Sequence, residues 1–141
     1  MRQSAFPLIL LLTAALAGCA MASTHSKEKV LDETLKSYAA TIRWGDIAQA
    51  QSFLDPEYRE RHPLSTLDVA RYRQVQVTYY HDAPAVPVND TEISQTVEIG
   101  LVNVNTQSAR SVVDHQTWHY DETARRWWLV SGLPDITHGR D

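Results

Sequence analysis

The chain has 141 residues and a mass of 16.0 kDa, with 43% hydrophobic and 21% charged residues, which bounds it to one ordinary globular domain and excludes a disordered or wholly membranous chain. A formal net charge of −4 with scattered Lys and Arg excludes the clustered basic footprint of a nucleic-acid binder. A single cysteine, Cys19, excludes an internal disulfide, so stability must come from packing.

The N-terminus has the layout of a secretory signal. Met1-Arg2-Gln3 carries one positive charge, Leu8 to Ala17 is almost wholly apolar, and small residues follow. The apolar run is too short to span about 30 Å of hydrocarbon, which takes roughly 20 residues. Its end, Leu16-Ala17-Gly18-Cys19, resembles the lipobox of bacterial lipoproteins at all four positions. That resemblance implies a diacylglyceryl thioether on Cys19, cleavage before it, and acylation of the new amino terminus by a fatty acid such as palmitate. Each buried methylene contributes about 0.8 kcal/mol, and several acyl chains together make such an attachment effectively permanent. Ala20 follows the cysteine where an Asp would resemble an enterobacterial inner-membrane retention signal, so the expected location is the outer membrane, facing the periplasm. Residues 1–18 are thus expected to be the signal peptide and 19–26 the lipidated cysteine and a short flexible tether. Residues 27–137 are expected to form the domain and 138–141 a tail.

From Lys27 to Trp44 the apolar positions Leu31, Leu35, Tyr38 and Ile42 recur at steps of four, three and four, which predicts a helix with one buried face. Gly45 is expected to stop it in the left-handed conformation. Asp46-Ile47-Ala48-Gln49 reads as a capping box opening a second helix, whose apolar set is Ile47, Ala50, Phe53 and Leu54. Asp55-Pro56 interrupts it, and a short third helix through Tyr58 follows.

After His62-Pro63 the period changes to two. Val75, Val77 and Tyr79 alternate with polar residues, which predicts a strand with those three on its apolar face. The segment "DAPAVPVND" is expected to be an exposed loop. "EISQTVEIGLVNV" reads as a strand in which Gly100 marks a bulge, after which the apolar side could change. "RSVVDHQTWHY" and "RWWLVSGL" read as two more strands, joined at Asp121 to Arg125 by a connection short enough for a hairpin. Helices first and strands afterwards predict an α+β domain, with N-terminal helices packed in a curved antiparallel sheet.

The segment "YAATIRWGDIAQAQSFLDPEY", the long strands after it and the ending "WHYDETARRWWLVSGLPD" together resemble the nuclear-transport-factor-2-like superfamily, also called the SnoaL-like or ketosteroid-isomerase-like cone. The likeness covers roughly Lys27 to Pro134 and extends to small proteobacterial lipoproteins to which no function is assigned. It implies a bent sheet wrapped around the first helix, with a conical pocket between them. It implies no single function, because the fold hosts isomerases, dehydratases, transport factors and interaction modules.

Candidate pocket or interface residues are Tyr38, Tyr79, Asp114, Trp118, Trp127 and Trp128; no catalytic residue and no metal ligand is assigned. Trp118, Tyr120, Trp127 and Trp128 lie on strands that should pair, where aromatic contacts either stabilise the sheet or line a ligand wall. Trp127 and Trp128 are adjacent and so must face opposite sides. His115 and His119 share a face but would lie about 13 Å apart along a strand, too far to chelate one metal. Isomerase-like chemistry needs an acid in an apolar pocket and a hydrogen-bond donor, for which Asp114, Tyr79, Tyr38 and His81 are available. The plainer expectation for Asp114 is pairing with Arg110 or another basic group.

Two functions follow. One is a lipid-anchored, non-catalytic binding or protein-interaction module of the cell envelope, with an envelope protein or a second copy as partner and no cofactor. The alternative is an enzyme or carrier acting on a small apolar ligand in the cone. A roomy cavity holding Asp114 or Tyr79 would favour the second, and a cone filled by side chains such as Trp128 and Phe53 the first.

Overall fold

The computed structural model describes residues 14–137, with side chains described from residue 24 onward. Residues 1–13 of the expected signal peptide and the expected tail 138–141 lie outside the described residues, as does the Cys19 side chain. The chain forms α1 (Ala14–Trp44), a 3-10 helix (Ile47–Phe53), α2 (Pro56–Arg61), α3 (Thr66–Tyr72), and then strands β1 (Val75–Asp82), β2 (Val86–Asn89), β3 (Glu92–Asn103), β4 (Ala109–Asp121) and β5 (Arg126–Leu129). The α+β order and the curled, wholly antiparallel sheet agree with the sequence expectation.

The face predicted for α1 is the face it buries. Tyr38 and Ile42 are fully enclosed, and Leu31 and Leu35 pack at the margin of the same core. The helix extends further back than the sequence indicates, because residues 20–26, read as a flexible tether, continue it without a break. Gly45 ends the helix by a different device from the one expected. The left-handed conformation is absent there; instead a Cβ at Gly45 would sit 2.7 Å from the Thr41 carbonyl oxygen, which receives the Gly45 N–H at 3.0 Å.

The second helix is a tighter 3-10 turn. Asp46 caps it by accepting from the Ala48 N–H at 2.9 Å, and Ile47, Ala50 and Leu54 are buried as expected. Asp55 caps α2 through the Tyr58 N–H. Helix α3 was not anticipated, although Ser65-Thr66-Leu67-Asp68 carries its capping box: Ser65 Oγ accepts from the Asp68 N–H at 3.1 Å, and Asp68 Oδ2 accepts from the Ser65 N–H at 3.0 Å.

In the sheet the spatial order is β1-β3-β4-β5, with β2 pairing the start of β3 beyond the end of β1. The "DAPAVPVND" segment is therefore a correction. It is exposed, but four of its residues form the short edge strand β2, and Pro87 is tolerated because an edge strand can spare an N–H. The bulge near Gly100 lies in the partner strand: the β1–β3 register shifts between Val77 and Tyr79. Strand β3 keeps its phase through Gly100, with Ile93, Gln95, Val97, Ile99 and Leu101 all facing the core. The extra residue in β1 instead flips that strand, so Tyr80 and not Tyr79 continues the inward face after Val77.

Candidate functional site

The concave side of the sheet carries a polar row within an otherwise apolar core. Strand β4 turns Val112, Asp114, Gln116, Trp118 and Tyr120 inward by simple alternation. Trp118 Nε1 donates to Gln116 Oε1 at 3.2 Å, while Gln116 Nε2 donates to Tyr80 Oη at 3.1 Å and to Asp114 Oδ2 at 2.8 Å. From α1, Tyr38 stands edge-on to Trp118, with ring centroids 5.1 Å apart, and to Phe53 at 5.4 Å. Its hydroxyl is buried without a hydrogen-bond partner.

Burial dominates the electrostatics of this row. It pushes the Asp114 carboxyl up to about 6, against a smaller opposing pull from the Gln116 amide and from His115. Burial also raises the Tyr38 hydroxyl well above its ordinary value, helped by the neighbouring Asp114 charge. Tyr80 is raised likewise, and Tyr72, whose hydroxyl donates to the Pro134 carbonyl at 3.1 Å, is pushed up to about 12. All three phenols are therefore neutral donors at physiological pH.

The expected partner of Asp114 is elsewhere. Arg110 Nη2 donates to the Ile136 carbonyl and ties the C-terminal segment to the sheet. Among the described residues no ion pair reaches Asp114. Arg110 lies four residues before Asp114, near the start of β4, where its side chain reaches the Ile136 carbonyl.

Of the six candidate residues, three meet in this row: Tyr38, Asp114 and Trp118. Trp127 is buried beside them but at the end of the sheet, where its Nε1 donates to the Lys27 carbonyl at 3.3 Å. Trp128 faces the other way, as its adjacency requires, with the Arg126 guanidinium 3.8 Å from its ring centre. Tyr79 lies on the convex face, where its ring stacks on His81 and its hydroxyl donates to Glu98 at 2.8 Å. Tyr80 and Gln116 complete the row, and neither was singled out from the sequence. Gln116 sits in plain alternation with Asp114 and Trp118, a signal available in the sequence; Tyr80 was hidden by the bulge.

The two large grooves of the domain do not open onto this row. A groove of about 660 Å³ runs between α1 and the β1–β2 connection, floored by Leu31, Leu35 and Ala39. A second, of about 500 Å³, lies between α2, α3 and the C-terminal segment, with Leu54, Tyr72, Leu133 and Ile136 on its floor. Neither is lined by Tyr38, Tyr80, Asp114 or Trp118. Among the described residues no three His, Cys, Asp or Glu side chains form a metal-binding group, and His115 instead meets Thr96 Oγ1 at 3.3 Å on the convex face.

No family model and no curated protein matches this chain. The site is thus defined by its own geometry: the Asp114 carboxyl and the Tyr38 and Tyr80 phenols, gathered behind packed aromatic rings. Such a set can exchange protons and donate hydrogen bonds, but only to a molecule that first displaces the Tyr38–Trp118 contact.

Proposed function

We propose that this chain is a lipid-anchored domain of the bacterial cell envelope, with a nuclear-transport-factor-2-like cone used as a non-catalytic binding or interaction module. The anchor rests on the Leu16 to Cys19 lipobox resemblance. Among the described residues no helix is long and apolar enough to cross a membrane, and attachment through Cys19 needs none. The curled sheet around α1 is compatible with the cone.

The observation that carries the non-catalytic reading is the filled interior. Tyr38 and Trp118 are both 0% exposed and touch edge to face between α1 and the sheet. Chemistry on a ligand needs reacting groups within about 3 Å of it, and Asp114 lines neither of the large open grooves.

A second reading, an enzyme or carrier for a small apolar ligand, is favoured by Asp114 itself. A buried carboxyl without a cation, beside an unpartnered phenol, is costly to fold around and is a recurrent feature of catalytic acids. Complementation of a deletion strain separates the two. The binding-module reading expects Asp114→Asn and Tyr38→Phe to restore function and Cys19→Ser to fail. Loss of function in a folded, lipidated Asp114→Asn protein transfers the assignment to the enzyme reading.

A further inference from the structure

The root of α1 is fastened to one end of the sheet. Lys27 Nζ donates to the Asp90 carbonyl in the β2–β3 turn at 2.6 Å and to Glu122 Oε1 in the β4–β5 turn at 3.1 Å. It also stands 4.5 Å from the centre of the Tyr120 ring, while the Lys27 carbonyl accepts from Trp127. These four contacts, to the β2–β3 turn, the β4–β5 turn, β4 and β5, fasten the helix where it leaves the domain. Cys19 lies eight residues earlier on the same unbroken helix, about 12 Å away along its axis.

That distance is short. The polar headgroup layer adds roughly 5–8 Å on each side of the hydrocarbon, so a domain fastened about 12 Å from an acylated residue stands against the headgroups. The end it presents is the one that carries the β2–β3 and β4–β5 turns. There Thr24, Ser26, Lys27, Tyr120, Glu122 and Arg125 line a shallow polar groove of about 300 Å³. Lys27 is matched by Glu122, whereas Arg125 makes no ion pair among the described residues. An unmatched guanidinium beside hydroxyl groups suits a phosphate oxyanion.

We propose that this end of the domain is a membrane-docking surface: the α1 root holds the domain upright on the bilayer, with Arg125 and the groove around it at the level of the phospholipid phosphates. The proposal rests on the lipid-anchor reading and adds a fixed orientation to it. The β3–β4 turn, residues 104–108, then faces away from the membrane, separated by the length of β3, about 36 Å along the strand. Trp44, 79% exposed at the far end of α1, also points into the aqueous space.

The test uses the full-length lipidated protein in vesicles of phosphatidylethanolamine and phosphatidylglycerol, with one nitroxide attached to a cysteine introduced by Thr123→Cys or Thr106→Cys. Relaxation by a nickel-chelating headgroup lipid reports proximity to the bilayer surface. Docking predicts a several-fold larger effect at position 123 than at 106, a ratio that falls to near one when a Gly-Ser linker is inserted between residues 22 and 23. Arg125→Glu should lower the effect at 123 without changing the melting temperature. Free inorganic phosphate at physiological concentration should leave the ratio unchanged, and its collapse under phosphate would overturn the lipid as the occupant. Equal effects at the two positions in a protein that floats with the vesicles overturn docking alone. Failure to float overturns the anchor reading, and docking falls with it.

Discussion

Gln116 Nε2 lies 2.8 Å from Asp114 Oδ2, and that amide is the hydrogen-bond donor the structure provides to a carboxyl that is only 9% exposed. One neutral hydrogen bond cannot offset the loss of water around a charge, so the proton affinity of Asp114 rises toward about 6.

The pH dependence has a definite sign. In the folded state Asp114 holds its proton up to about 6, whereas in the unfolded chain it releases it near 3.8. Between those values the folded state binds more protons, so its stability falls as pH rises through the window. The loss is on the order of 2–3 kcal/mol, at about 1.4 kcal/mol per pH unit of displacement. Asp114→Asn can still accept from Gln116 and should abolish this slope. Urea unfolding at pH 4.5 and 7.5 checks it: the variant should be the more stable protein at 7.5, and an unchanged slope would show that Asp114 is solvated.

Tyr38 and Tyr80 should respond oppositely to loss of their hydroxyls. Tyr38 Oη is buried and unpartnered, so Tyr38→Phe removes an uncompensated polar group and should be neutral or stabilising by up to about 1 kcal/mol. Tyr80 Oη accepts from Gln116, so Tyr80→Phe strands an amide hydrogen and should cost about 1 kcal/mol. Denaturant midpoints of the two variants settle the order.

Gly100 is held by contact. A Cβ there would sit 2.2 Å from the Tyr79 ring and 2.6 Å from Thr78 Oγ1, on the convex face opposite the β1 bulge. Gly100→Ala must push the ring off its hydrogen bond to Glu98 and should cost about 1–2 kcal/mol. In a Tyr79→Ala background the same substitution should cost far less, and a double-mutant cycle measures the coupling.

Lys27→Met should loosen the α1 root. It keeps an unbranched apolar side chain but loses the bonds to Asp90 and Glu122 and the ammonium over the Tyr120 ring, at a cost of about 1 kcal/mol. Hydrogen exchange should quicken first in the turns around residues 90 and 122, and uniform quickening across the sheet would contradict a local clasp.

What the sequence determined by itself was the local order. The four-three-four spacing of Leu31, Leu35, Tyr38 and Ile42 names the buried face of α1, because a helix repeats every 3.6 residues whatever it packs against. The short span from Asp121 to Arg126 dictates a hairpin, and the adjacency of Trp127 and Trp128 dictates opposite faces. Asp114, Gln116 and Trp118 were legible as one face for the same reason, since alternation is a property of the extended backbone. Tertiary structure decided what no window of neighbouring residues contains. The bulge after Val77 depends on how β1 meets Gly100, twenty-three residues on, and it exchanged Tyr79 for Tyr80 in the core. Strand β2 exists because β3 offers it an edge, Arg110 bonds the Ile136 carbonyl while Asp114 bonds Gln116, and Tyr38 from α1 meets Trp118 from β4 in the core. Each of these is a contact between distant parts of the chain, and such contacts are fixed by which groups reach one another first in three dimensions.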